Sequence, residues 1–218
     1  ALQLKEKTDG KVTVITIGDE DTVESLHQAI AMGVDQAIRV IDPGLDDTDA
    51  FGNAQILAAA VQQVGDFDAI LCGRQAGDVE MGLVGAFLAE ELDLPCATIL
   101  ANVEPENGKV RMRRSVDAGY EVLETSTPFV ATVTNDESNV PRYASVRGML
   151  AARRAEIPVW SVDDLGLDTS ALGLSSAQIE MEELFIPEHE VECHLIAGDT
   201  GPEKARNLVE YLQQEKVI

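Results

Sequence analysis

A chain of 218 residues is long enough for one well-buried core with an appendage and too short for two full domains. Its 45% hydrophobic and 25% charged residues are ordinary for a globular protein, and no apolar run approaches the ~20 residues that span a bilayer. Sixteen basic residues against 39 acidic ones leave a formal charge of -23, which excludes nonspecific nucleic-acid binding, where Lys and Arg neutralise phosphates. Acidity of this size suits a salt-rich cytoplasm, where repulsion is screened. Residues 1–7 lack the basic-then-apolar layout of a secretory leader, and Cys72, Cys96 and Cys193 form no Cys-x-x-Cys pair. A reduced, cytoplasmic compartment is expected.

In chain order, residues 1–7 read as the tail of an amphipathic helix, and 11–18 as a β-branched strand closed by Gly18. Val23, Leu26, Ala29, Ile30 and Met32 recur at helical spacing over 22–32, with Asp21 or Thr22 as cap and Gly33 as stop. A strand at 37–41, a helix at 49–64, a strand at 69–73, a helix at 82–92 and a strand at 97–103 continue the alternation, which implies a doubly wound parallel sheet. The pattern then changes. Pieces 110–114, 120–124 and 128–134, separated by Asn107-Gly108, Asp117-Ala118-Gly119 and Pro128, read as antiparallel ribbon. Beyond 160 an irregular stretch leads to a helix at 202–214, so 1–160 is expected to be the core domain and 161–218 an arm that packs on another subunit. A doubly wound sheet that begins mid-helix is incomplete: either a strand precedes residue 1, or a partner supplies one.

The window 71–85 is a strand end, a glycine-containing loop and a helix start. Open α/β sheets bind ligands there, because loop amides and the helix N-terminus present unpaired N–H groups to a phosphate. Gly18 ends the first strand at the same edge. The pattern is neither G-x-G-x-x-G nor a Walker A loop and has no Lys-Ser/Thr for magnesium, so a nucleotide here would be held, not hydrolysed. On local sequence alone, a glycine turn required only by the strand-to-helix geometry explains the window as well.

Gly73-Arg74-Gln75-Ala76-Gly77-Asp78, with Gly85 following, resembles the Gly-Lys/Arg-Gln-Ala-Ile-Asp segment of electron transfer flavoprotein beta subunits. Ala31-Met32-Gly33-Val34-Asp35, Arg113-Arg114-Ser115-Val116-Asp117-Ala118-Gly119, Pro128-Phe129-Val130-Ala131-Thr132 and Pro141-Arg142-Tyr143-Ala144-Ser145-Val146 resemble that family's other signatures in the same order, with Ala118 in place of a glycine. The resemblance runs from about residue 5 to the end and leaves out the family's first strand, which accounts for the mid-helix beginning. It implies a Rossmann-like fold of the adenine nucleotide alpha hydrolase-like kind. It also implies an alpha subunit carrying FAD, and either AMP or a second FAD in this subunit, the latter in electron-bifurcating relatives. Partners would be flavin dehydrogenases such as acyl-CoA dehydrogenases and a downstream quinone oxidoreductase, the latter bringing the chain to the periphery of a membrane. An electron carrier subunit is expected, not an enzyme. The alternative is a stand-alone nucleotide-binding module of the universal-stress type, which shares the crevice.

Carried over position by position, the resemblance puts Ile17, Gly18, Ala76, Val79, Gly82, Leu83 and Val84 at the nucleotide, and the same turn and motifs add Cys72, Gly73, Arg74, Gln75, Asp78 and Thr132. AMP-type members have Asn-Gln-Thr where this chain has Gly82-Leu83-Val84, and each lost side-chain bond to phosphate weakens binding by about 1.5–3 kcal/mol. Val84 agrees with bifurcating members and Leu83 with neither. Val146, with Met149 and Leu150, stands where the family presents an apolar anchor to dehydrogenases; a core-packed first turn is the plain alternative. Arg111, Arg113, Arg114, Arg142, Arg147, Arg153 and Arg154 gather seven of 16 basic residues within 44 positions, as an anionic partner or charged strand edges would require. His27, His189, His194 and the Ser175-Ser176 pair match no metal-ligand or nucleophile pattern, so neither a metal site nor a catalytic group is expected.

Overall fold

The computed structural model describes residues 1–43, 45, 48–136, 140–168, 170, 172, 177–179, 182–183, 185–187 and 193–218. The chain divides into two compact units, Ala1–Glu180 and Met181–Ile218. The first unit contains α1 (Leu2–Thr8), β1 (Thr13–Ile17), α2 (Thr22–Met32), β2 (Gln36–Val40), α3 (Ala50–Val64), β3 (Ala69–Gly73) and α4 (Val84–Glu91). Next come β4 (Cys96–Glu106), β5 (Lys109–Val116), β6 (Gly119–Thr125), β7 (Phe129–Val133), α5 (Val146–Ala152), β8 (Val159–Trp160) and a 3-10 turn at Asp163–Leu165. The predicted elements agree with these to within a few residues at each end.

The strands form an α/β fold with two sheets. One is parallel, in the order β1-β2-β8; the other is mixed, in the order β3-β7-β4-β5-β6. The structure corrects the reading of residues 128–134 as ribbon. They form β7, parallel to β3 on one side and to β4 on the other. The reason is burial: Phe129, Val130, Ala131 and Thr132 are all buried, and a strand covered on both faces reads as a continuous apolar run of the parallel-sheet kind. Among the described residues the antiparallel pairings are β4 with β5 and β5 with β6, the first joined by the Asn107-Gly108 turn, in which both residues have positive φ.

Helix α3 contributes to two clusters. Ile56 and Ala60 pack with Val40, Val162, Leu172, Ile15, Ile17 and Trp160, while Ala54 and Ala58 pack with Leu88, Ile70, Cys72 and Phe87. Phe51 meets Phe87 edge to face at 5.8 Å and 87°. A third cluster, Ala97, Leu100, Val110, Met112, Phe129 and Ala131, lies under the ribbon. Asp49 starts α3 in extended conformation, its Oδ1 accepting the N–H groups of Phe51 at 3.0 Å and Gly52 at 2.9 Å. Its Oδ2 accepts that of Gln178 at 2.6 Å.

Helix α5 lies against α2 through Gly148, where an added Cβ would stand 2.2 Å from the carbonyl oxygen of Ala31. Ser145 caps α5, its Oγ accepting the Gly148 N–H at 3.0 Å. In the second unit, α6 (Gly201–Gln214) begins with a reciprocal cap: Thr200 Oγ1 accepts the Glu203 N–H at 3.4 Å, and Glu203 Oε2 accepts the Asp199 N–H at 3.0 Å. His194 packs on Tyr211 in that unit with ring centroids 5.2 Å apart. His189, Ser175 and Ser176 lie outside the described residues.

Burial pushes the Asp49 carboxyl up, but the backbone N–H groups of Gly52, Gln178, Ile179 and Phe51 outweigh it and hold the group below its ordinary value. A depressed carboxylate stabilises above its unfolded pKa and loses that contribution as pH falls through the folded one. Asp49→Ala is therefore expected to lower the unfolding free energy at neutral pH by about 1–2 kcal/mol in urea titrations. Asp49→Asn, which still caps, is expected to lose less, and its deficit relative to wild type should shrink as pH drops below about 4.

Candidate functional site

The candidate turn runs from the end of β3 to the start of α4. Ladder pairing continues one step past β3, the Arg74 N–H donating to Val133 O at 2.9 Å, and then the chain turns outward. Gly73, Arg74, Gln75, Ala76, Asp78, Val79 and Gly82 are all exposed, and Leu83 and Val84 are half-buried. Asp78 Oδ1 accepts the Val79 N–H at 2.7 Å, and Glu80 and Gly82 take positive φ, 54° and 65°. The turn doubles back so closely that a Cβ on Gly82 would lie 3.2 Å from Arg74 O. Helix α4 then starts at Val84, with Leu83 as an N-cap that offers no side-chain bond; the Ala86 N–H turns back to Leu83 O at 3.1 Å, and the Val84 and Gly85 N–H groups receive no side-chain cap.

Cys72 and Thr132 lie under this turn. They are register partners on β3 and β7, and Gly85 of α4 packs on both: a Cβ there would stand 2.5 Å from Thr132 Cγ2 and 3.5 Å from Cys72 Cβ. Thr132 is buried, and its Oγ1 accepts the Ile99 N–H at 3.1 Å. Ile99 sits at a bulge of β4 with φ 59°, a conformation rare for a β-branched residue, and Arg114 Nε braces it by donating to Thr98 O at 3.1 Å. Nothing in the sequence signals this bulge. Burial, with the charge of Cys96 adding to it, pushes the Cys72 thiol up to about 11, so it stays protonated at neutral pH and fills space.

Ile17 and Gly18 end a strand of the other sheet. Gly18 donates to Val40 O at 3.0 Å, and a Cβ on it would meet Thr22 Cγ2 at 2.2 Å, so a side chain there would require Thr22 to move. Asp19, Glu20 and Asp21 follow, and Glu20 pairs at 2.8 Å with Arg39, a buried arginine on β2 that sequence reasoning passed over in an otherwise apolar strand. Among the described residues no hydrogen bond or ion pair joins Ile17 or Gly18 to the 74–83 turn. Among the described residues, too, no group of three or more His, Cys, Asp or Glu stands where it could hold a metal ion, and no helix is long and apolar enough to cross a membrane.

The Electron transfer flavoprotein domain family matches residues 1–165. The electron transfer flavoprotein subunit beta of Thermoanaerobacterium thermosaccharolyticum is 35% identical over all of this chain and 83% of its own length. The chain belongs to the electron transfer flavoprotein beta-subunit family. The Bacillus subtilis beta subunit is 34% identical, and the caffeyl-CoA reductase-Etf complex subunit CarD of Acetobacterium woodii 33%, with the same coverage of 100% of this chain and 83% of theirs.

The seven clustered arginines separate into two kinds. Arg111 pairs with Glu106 at 3.6 Å, Arg113 with Asp136 at 3.2 Å and Arg114 with Glu121 at 3.4 Å, and Arg113 also lies 4.4 Å from the Tyr120 ring centroid. These serve the ribbon, as charged strand edges do. Arg142 pairs with Glu6 at 2.6 Å, whereas Arg147, Arg153 and Arg154 are exposed without an ion pair among the described residues. Around them Val146, Met149 and Leu150 are 71%, 46% and 56% exposed, and Val140 and Tyr143 are 75% and 98% exposed. This face is not the core-packed first turn that the sequence also allowed; of α5 only Ala152 is buried.

Gly85→Ala is expected to overpack the floor of the turn and cost about 1–3 kcal/mol. Thr132→Ser, which removes the Cγ2 methyl and keeps the hydroxyl that Ile99 needs, should recover most of that loss in the double variant. Denaturation midpoints of the four proteins in the cycle check it.

Proposed function

We propose that this chain is the beta subunit of a heterodimeric electron transfer flavoprotein. In this reading it holds an adenine nucleotide in the turn around 73–84, packs on an FAD-carrying alpha subunit, and offers α5 with its preceding loop to flavin dehydrogenases. The observation that carries the reading is the uncapped start of α4 behind a turn folded back on itself, within a chain of this family. The uncapped N–H groups of Val84 and Gly85 and the exposed Arg74 suit a phosphate. Gly82, Leu83 and Val84 bring no hydrogen-bonding side chain, so the main chain would do the holding. Ile17 and Gly18 would border the same nucleotide in a Rossmann-like, adenine nucleotide alpha hydrolase-like arrangement of the strands.

FAD, when bound, supplies the redox chemistry of such a complex. This chain's residues bind, orient and dock, and no acid, base or nucleophile is assigned among them. The arm from 161 to 218 packs on the alpha subunit, and the complex works in the cytoplasm, reaching a quinone oxidoreductase at a membrane from that side. Acyl-CoA dehydrogenases are the donor class; the name of the Acetobacterium woodii relative, a caffeyl-CoA reductase-Etf complex subunit, supports partners that act on CoA esters. Family membership leaves the stand-alone universal-stress reading without support.

Denaturing the purified heterodimer and identifying what it releases tests the nucleotide. One FAD with one AMP means simple carriage, two FAD mean bifurcation, and a single FAD with no second adenine nucleotide sinks the binding role. For the docking face, Val146→Asp is expected to raise the KM for a purified acyl-CoA dehydrogenase by about tenfold at unchanged flavin content, as loss of an interface hot spot does. An unchanged KM with every dehydrogenase tried would remove α5 from the interface.

A further inference from the structure

Three consecutive charged residues of α1 each reach a different part of the unit. Lys5 Nζ donates to Asp35 Oδ1 at 2.6 Å and to Gly33 O at 2.9 Å, and Asp35 Oδ2 in turn accepts the Val12 N–H at 2.8 Å. Lys7 Nζ donates to Glu104 Oε1 on β4 at 2.9 Å. Glu6, between them, accepts both arms of the Arg142 guanidinium, Nη1 at 2.6 Å and Nη2 at 3.2 Å. Two-point pairing fixes orientation as well as distance. Among the described residues, these are the hydrogen bonds and ion pairs that tie 140–144 to the remainder of the unit, and the same five residues carry the exposed Val140 and Tyr143.

We propose that Glu6 is a positioning residue for partner docking: by clamping Arg142 it sets the approach of the 140–145 loop, and α1 anchors that clamp on β4 and at the start of β2. The proposal rests on the docking reading of α5 and its loop given above. An apolar anchor gains affinity from being held in its bound geometry beforehand, because the cost of ordering it is met before the encounter. The hydrogen bonds from Arg142 hold the Glu6 carboxyl below its ordinary range, consistent with a pair that persists at neutral pH. Arg142 is thereby used internally, which leaves Arg147, Arg153 and Arg154 as the cations of the face without an ion pair among the described residues.

The test uses the intact heterodimer with trypsin and with a purified acyl-CoA dehydrogenase as probes. Cleavage after Arg142 requires its side chain to leave Glu6 and enter the protease, while cleavage after Arg147 and Arg153 does not and serves as internal reference. Glu6→Gln is expected to speed cleavage after Arg142 about two- to fivefold relative to those sites, the size of effect an exposed ion pair gives. In wild type that rate should climb as ionic strength rises from about 0.01 to 1 M, and in Glu6→Gln it should not. The KM for the dehydrogenase should rise about two- to fivefold at constant kcat, and the swap Glu6→Arg with Arg142→Glu should bring it back. Unchanged cleavage and KM in Glu6→Gln overturn the proposal, as does a swap that leaves KM high, since Arg142 would then act on the partner directly. If Glu6→Gln exposes Arg142 while Val146→Asp leaves KM unaltered, the anchor stands and the docking reading is what fails.

Discussion

Two sheets that share no strand must be held together by something else, and in the first unit that is the burial of α3 on two sides. Ala54 and Ala58 face the side of β3 and α4, Ile56 and Ala60 the side of β1 and β2. At 100° per residue these pairs point in nearly opposite directions, so α3 has no broad polar face. Alanine dominates because a helix wedged between neighbours gains more from close approach than from bulk. Gly52 makes the same accommodation at its start, where a Cβ would lie 2.4 Å from Thr48 Cγ2 and 3.1 Å from Leu172 O. Everything placed around the candidate turn is placed relative to this helix, since α4, which begins there, packs against it.

The charge pattern has a corresponding logic. In a chain carrying -23, a cation is scarce, and eight of the sixteen are spent on ion pairs among the described residues. Most of these pairs are exposed and individually weak, worth about 0–1 kcal/mol each. Their use is positional: they tie α1 to the sheets and the strands of the ribbon to one another. The acidic residues after Gly18 oppose a phosphate at that strand end, with Arg39 as the cation that answers Glu20. The start of α4, whose Val84 and Gly85 N–H groups have no side-chain cap, offers a more favourable place for negative charge.

The alternation of strands and helices was legible because β-branched runs ending on Gly18 and Gly73, and helical spacing closed by Gly33, are local signals. The role of β7 was not. Pro128 and its neighbours look like a ribbon strand, and only the return of the chain to lie between β3 and β4 makes the apolar run a central one. The segment 73–84 was legible as a strand-to-helix turn because glycines between a strand and a helix are visible without knowing the fold. The Ile99 bulge and the Arg142–Glu6 pair were invisible, the first because isoleucine does not advertise positive φ, the second because its members are 136 positions apart.

The bulge shows how ribbon and turn are mechanically one piece. A β-branched residue at positive φ costs on the order of 1–2 kcal/mol, and it persists only where its surroundings leave no better choice. Here Arg114, paired with Glu121, donates to Thr98 O on one side of Ile99, and the Thr132 hydroxyl takes the Ile99 N–H on the other. The opposite end of Thr132, its Cγ2 methyl, meets Gly85 in the first turn of α4. A ribbon that twisted differently would move Arg114, release the bulge, and withdraw the side chain on which the start of α4 rests. The antiparallel extension is therefore part of what aims the α4 N–H groups, and a shorter ribbon lacking Arg114 would leave the same glycine-containing turn with a less defined floor.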